Sequence, residues 1–91
     1  MIENVKKALR ITTDHFDDEV QDLISAAKED LSFSGGIDTD DEEIRPLIKR
    51  AIITYCKAYF GYDNPEADRF QESYIMIKQH LALFGDYDET P

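Results

Sequence analysis

The residues whose spacing most resembles a ligand-binding site are carboxylates of the acidic connection, residues 37–43, between the second and third predicted helices. Asp38, Asp40 and Glu42 have the alternating spacing of the first three ligands of a calcium-binding loop. Such a loop needs glycine at its sixth position and glutamate at its twelfth, but Glu43 and Lys49 stand there. We therefore interpret the connection as a solvated acidic loop and predict that it binds no metal.

The thiol and imidazole side chains are isolated from one another in the sequence. Cys56 lies within an apolar helical pattern, which predicts a buried, inert thiol, and a single cysteine suits a reducing cytoplasm. His15 and His80 have no histidine or cysteine at zinc-ligand spacing. Gly35 and Gly36 lack the further glycine and lysine of a phosphate loop. We predict no catalytic residue, no metal and no cofactor, and thus no enzyme.

Composition limits the kinds of partner. The chain has 91 residues, with 20 acidic against 10 basic residues and a net charge of −10. Tight, nonspecific binding to a phosphate backbone requires a cationic face, so this balance argues against it. No apolar run approaches the length of a membrane-spanning helix, and we expect neither such a helix nor a signal peptide. We predict one helical domain over residues 1–85 and an acidic C-terminal tail over 86–91.

The spacing of apolar residues predicts four helices, and no segment alternates like a strand. Asp17 is the expected N-cap of the second helix, the segment Ser34-Gly35-Gly36 is expected to end it, and Asn64 is the expected cap of the fourth. Gly61 is the expected end of the third. The predicted fold is an all-α, small four-helix bundle, with helices over about 2–10, 17–34, 46–62 and 64–84.

The third helix is predicted to lie at the centre of the bundle and to be long. Only Arg50, Thr54 and Lys57 leave a clearly polar strip on it. A helix that is apolar in most directions is covered in most directions. Its main apolar stripe is Leu47, Ile48, Ala51, Ile52, Tyr55, Ala58 and Tyr59.

Two further apolar ridges lie outside the main stripes. Ile53 and Phe60 form one on the third helix, and Met76 and Leu83 form the other on the fourth. Scattered apolar residues are normal on a surface, but aligned ridges on neighbouring helices also suit an oligomer interface, and both interpretations stay open. Tyr87 lies among carboxylates of the tail, a composition that suits docking onto another protein.

The third helix also carries the main concentration of positive charge. Residues 44–62 contain four basic residues and no acidic one. We favour the interpretation that these cations pair with carboxylates on the second and fourth helices over contact with nucleic acid, because one basic helix is a weak phosphate footprint. The four are Arg45, Lys49, Arg50 and Lys57.

The order of these elements resembles the phage head–tail connector family, whose members are also described as DNA-packaging or head-completion adaptors. The resemblance runs over residues 2–84. It is carried by VKKALRIT at 5–12, DHFDDEVQDLISAAKEDL at 14–31 and RPLIKRAIITYCKAYFGYDNPE at 45–66. Many relatives have an Asn-Arg-Glu-like turn after the third helix, which residues 61–66 match only in part. These are packing and capping patterns rather than catalytic signatures.

The resemblance implies a non-enzymatic subunit without a cofactor, located at the virion neck and assembled in the cytoplasm of the bacterial host. Subunits of this kind form a ring, commonly of twelve, beneath the portal protein and extend the DNA channel toward a stopper or tail-completion protein. DNA would pass through without sequence-specific binding. The implied contacts are with other copies and with the portal, and Ile53, Phe60, Met76, Leu83 and Tyr87 are the candidate contact residues.

A second interpretation fits the net charge. A small acidic protein-binding module, such as a DNA mimic that inhibits a DNA-acting protein of the host, would also carry −10. No regular array of carboxylates at phosphate-like spacing supports it. A small helical enzyme is a third possibility, without any constellation of residues behind it.

Overall fold

The computed structural model describes residues 1–37, 39, 46–61 and 64–84. Within these ranges the chain is all-α, as predicted, and contains no strand. Position 38, positions 40–45, positions 62 and 63, and the tail from residue 85 onward lie outside the described residues. The helices are α1 (Ile2–Leu9), α2 (Asp17–Gly35), α3 (Pro46–Tyr59) and α4 (Ala67–Phe84).

The start of α2 differs from the prediction by one position. Phe16 occupies the cap position without a side-chain hydrogen bond, and Asp17 is the first helical residue. The Asp17 carboxylate instead lies 2.8 Å from the ammonium of Lys6, whose side chain is only 11% exposed. Asp14 forms a second ion pair with the same ammonium at 3.3 Å. Asp17 therefore fastens α2 to α1 rather than capping its own helix.

Glycine ends α2 as predicted. Gly36 adopts a left-handed conformation with φ of 64°, which a residue without Cβ reaches at little cost. The backbone N–H of Ile37 then donates to the carbonyl of Leu31 at 3.1 Å, and both side chains are buried. Together these contacts form the hydrogen-bonded, apolar closure typical of helix C-termini.

The turn between α3 and α4 depends on Asn64. Its Nδ2 donates to the carbonyl of Lys57 at 2.6 Å, and its Oδ1 accepts from the N–H of Glu66 at 3.1 Å. The predicted N-cap at Asn64 is thus a turn residue, and α4 begins three positions later, at Ala67. Asn64 thus joins α3 to the residue just before α4, and the two helices, linked by a short connection, pack against each other.

The central position of α3 is confirmed, since it packs against α1, α2 and α4. Its 14 residues make it shorter than α2 and α4, which have 19 and 18. Tyr59, predicted on its main apolar stripe, is 47% exposed because it is the last helical residue. The core consists of Val5, Val20, Ile24, Ala27, Leu31, Ile37, Ile48, Ala51, Ile52, Cys56, Tyr74 and Leu81.

Candidate interaction surfaces

An open groove of about 670 Å³ runs between α3 and α4. Its floor is apolar, its α3 side carries two cations, and none of the described residues that line it is a carboxylate. We call it the α3–α4 groove; its lining residues are Leu47, Arg50, Ile53, Thr54, Lys57, Phe70, Ser73, Met76 and Ile77. A groove with an apolar floor and a charged rim can hold one face of an amphipathic helix.

The structure brings together two of the predicted contact residues and separates a third. Ile53 is half-buried in the α3–α4 groove, and Met76, 69% exposed, lines its other side. Phe60 packs edge-to-face against Phe16, with ring centroids 5.5 Å apart, and is half-buried there. The ridge predicted from Ile53 and Phe60 is therefore divided between the groove and a contact with the segment that precedes α2.

Leu83 and Met76 lie on the same side of α4, two helical turns apart. Leu83 is 67% exposed, similar to Met76. Tyr87 is outside the described residues. The contact roles predicted for these side chains stay predictions, because the exposed positions of Met76 and Leu83 permit such a role without assigning it.

The most exposed large apolar side chain among the described residues was not singled out from the sequence. Phe33 on α2 is 83% exposed. It follows the buried Leu31 by two positions, about 200° around the helix, and this spacing was the signal that could have identified it. Phe33 shares its side of α2 with acidic residues, and we call this surface the α2 acidic face: Glu19, Asp22, Ala26, Glu29 and Phe33.

A polar cluster connects α2 to α4 beside that face. The hydroxyl of Tyr74 donates to the carboxylate of Asp30, and the Lys78 ammonium lies 3.0 Å from the same oxygen. Burial alone would raise the pKa of Asp30, but the hydrogen bonds from Tyr74 and Lys78 outweigh it and lower the pKa. Burial, reinforced by the bond to Asp30, raises the pKa of Tyr74. The cluster fixes the packing of α4 on α2, and sequence spacing did not indicate it.

Among the described residues, the cations of α3 form no ion pair with a carboxylate of α2 or α4, contrary to the prediction. In the described part of the chain, the ion pairs with carboxylates involve Lys6, Arg69 and Lys78. Lys57 instead lies over the ring of Phe70, with its ammonium 5.5 Å from the ring centroid. Arg50 is exposed at the groove. Arg45 lies outside the described residues. Two of the three cations of α3, Arg50 and Lys57, thus line the α3–α4 groove, whereas Lys49 is not among its lining residues.

Cys56 and the carboxylates are the side chains that the sequence offered for chemistry. Cys56 is fully buried, as predicted, and burial raises the pKa of its thiol to about 12, so it is protonated at neutral pH. Among the described residues, no group of three or more His, Cys, Asp or Glu side chains is placed to hold a metal ion. The predicted calcium-like positions Asp38, Asp40 and Glu42 fall outside those residues. None of the helices in the described ranges is long and apolar enough to span a bilayer.

Comparison with known proteins agrees with the resemblance noted in the sequence. The family model described as phage connector protein matches residues 1–88, nearly the whole chain. No curated protein and no solved structure matches this chain significantly. The match covers all four helices, the α3–α4 groove and the α2 acidic face. The chain belongs to the phage connector protein family.

Proposed function

We propose that this protein assembles as a closed ring, of about twelve copies, beneath the portal of a phage or prophage capsid. The ring extends the DNA channel and joins the head to the tail. Membership of the phage connector family supports a structural, non-enzymatic role at the virion neck. The proposed partners are other copies of the chain, the portal protein and a stopper or tail-completion protein, with assembly in the cytoplasm of the bacterial host.

The observation that carries the ring proposal is the apolar surface that a single copy leaves exposed. Met76 and Leu83 are 69% and 67% exposed on one side of α4, and Phe33 is 83% exposed on α2. A ring is built from head-to-tail contacts, and each subunit must therefore present two different surfaces. Separate apolar patches on α2 and α4 satisfy that requirement, whereas a two-fold dimer needs only one self-complementary patch.

The net charge supports passage of DNA rather than its retention. With 20 acidic against 10 basic residues, the net charge of the chain is −10, which repels phosphate. A channel wall without a cationic face displaces none of the counterions condensed on DNA, so it gains no sequence-independent affinity from their release. DNA therefore moves through the ring without a specific contact.

The proposal is tested with paired charge substitutions on α4. Met76→Asp with Leu83→Asp places two carboxylates on the exposed ridge, where a dry contact would cost about 2 kcal/mol or more for each. Gln21→Asp with Ser25→Asp is the matched control, because it adds the same charges at exposed positions of another helix, α2, outside the ridge. Co-sedimentation with the portal protein of the same phage and native mass spectrometry then measure assembly.

The first variant is expected to fold, as judged by circular dichroism, and to lose binding to the portal or to other copies. The control is expected to assemble as the unmodified protein does. If both variants assemble equally well, Met76 and Leu83 are ordinary surface residues. If the unmodified protein forms no ring with or without the portal, and instead competes with DNA for a nuclease, the DNA-mimic interpretation replaces this one.

A further inference from the structure

We infer that the α2 acidic face of one copy docks along the α3–α4 groove of the next copy. The inference rests on the proposed ring and names the contact from which it is built. The two surfaces lie on different elements of the subunit, one on α2 and the other between α3 and α4. A contact between unlike surfaces is head-to-tail, and it closes into a ring when the rotation per subunit permits.

The apolar parts of the two surfaces complement each other. The groove has an apolar floor that includes Ile53, Phe70 and Ile77, and its volume is about 670 Å³. The α2 acidic face presents Phe33, which is 83% exposed. Aromatic side chains inserted into a partner's pocket are typical anchors of protein interfaces. Insertion of Phe33 would cover both the phenyl group of Phe33 and the floor of the α3–α4 groove.

The charged parts of the two surfaces also complement each other, and their spacing matches. Asp22 and Glu29 are separated by two helical turns on α2, and both are exposed. Arg50 and Lys57 are separated by the same two turns on α3 and line the groove. Each pair therefore spans about 10 Å along its helix, so both ion pairs form at once when the helices lie side by side.

The side chains at the centre of the proposed contact are small enough for the two helices to approach each other closely. Ala26 lies between Asp22 and Glu29 on α2, and Thr54 lies between Arg50 and Lys57 on α3. Ala26 and Thr54 face each other in the proposed contact whether the two helices run parallel or antiparallel. Small side chains at such a point permit short distances between helix axes.

Cross-linking between single-cysteine variants tests this contact. Ala26→Cys and Thr54→Cys are placed on separate chains in a Cys56→Ala background, mixed at millimolar concentration, and treated with a short bismaleimide. The same mixture is also treated after binding to the portal protein. Gln21→Cys replaces Ala26→Cys in the control, because Gln21 is exposed on α2 but about 140° away around the helix.

The expected result is a cross-link between the Ala26→Cys and Thr54→Cys chains, with little product from either chain alone or from the control. Reversing both charges on one surface, by Asp22→Lys with Glu29→Lys, is expected to reduce the yield about tenfold. Adding Arg50→Glu with Lys57→Glu on the other chain is expected to restore it. Restoration would show that the charge reversal had not acted by unfolding the protein.

The outcomes separate this inference from the proposed function. Rings on the portal that yield no cross-link between these positions would overturn the docking arrangement and leave the ring intact. An efficient cross-link of Ala26→Cys to itself would indicate a two-fold dimer, and that result also overturns the arrangement. Absence of any assembly, with or without the portal, would overturn both proposals.

Discussion

The hydroxyl of Tyr74 on α4 donates a hydrogen bond to the carboxylate of Asp30 on α2, across 44 positions of sequence. Lys78 and Ser34 complete the cluster, with the Lys78 ammonium 3.0 Å from Asp30 and 3.1 Å from the Ser34 hydroxyl. Tyr74 also packs edge-to-face on Tyr55 of α3, with ring centroids 5.1 Å apart. A single aromatic side chain thus fixes α4 against both α2 and α3.

Removal of the Tyr74 hydroxyl is expected to destabilise the protein without unfolding it. Tyr74→Phe keeps the ring in place and removes one hydrogen bond to a charged, partly exposed acceptor, a loss of about 1 kcal/mol in the free energy of unfolding. Urea denaturation followed by circular dichroism measures the change. The control is Tyr59→Phe, at a 47% exposed position, which is expected to change little. Equal effects at the two positions would contradict the importance of the cluster.

Stability is expected to fall in acid partly through Asp30. Its pKa is lowered in the folded protein, because hydrogen bonds from Tyr74 and Lys78 outweigh the effect of burial. Its contribution is therefore complete above about pH 4, the pKa of an unfolded aspartate, and is lost as pH falls through the folded value. Asp30→Asn should lower stability at neutral pH and flatten its decline in acid.

The acid prediction is checked by the free energy of unfolding in urea at about pH 6 and about pH 3. Asp22→Asn is the control, since Asp22 is an exposed aspartate of the same helix. It is expected to retain the decline of the unmodified protein. If Asp30→Asn retains the full decline as well, the cluster does not depend on the ionised carboxylate.

Helix positions and the central place of α3 were predictable from the sequence, because they depend on local periodicity and capping. The burial of Cys56 and the end of α2 at Gly36 follow from the same rules. The role of Asp17 was not predictable, because its carboxylate turns to Lys6, a residue of another helix. A helical wheel of α2 does not show which residue of a neighbouring helix lies opposite a given side chain.

The contact surfaces show the same division between local and tertiary information. Exposure of Met76 and Leu83 follows from the phase of α4. The separation of Phe60 from Ile53 does not, because it depends on the path of the chain that places Phe16 against Phe60. The exposure of Phe33 could be predicted from its position on α2, two residues after the buried Leu31.

The buried thiol provides a test of core packing. Cys56 is fully buried, and Cys56→Ala should cost about 1–2 kcal/mol in the free energy of unfolding through a small cavity. Because burial raises the pKa of the thiol to about 12, the native protein should react with a thiol reagent at neutral pH only as fast as it opens. Rapid labelling without denaturant, while circular dichroism stays native, would contradict this placement.

The C-terminal tail is expected to be dispensable for folding. The core formed by the described residues extends to Leu81, and the tail contains Tyr87 among acidic residues. Deletion of residues 86–91 should leave the melting temperature and helicity nearly unchanged and should weaken binding to a partner. Tyr87→Ser in the full-length chain separates the aromatic contribution from the effect of chain length. A large loss of helicity on deletion would show that the tail belongs to the folded domain.

The most direct test of the connector account is electron cryo-microscopy of this protein bound to the portal protein of the same phage. The account predicts a closed ring of four-helix subunits, coaxial with the portal channel, in which α2 of each copy lies along α3 and α4 of its neighbour. Density for isolated subunits at the portal edge, or a complex without a ring, would contradict it.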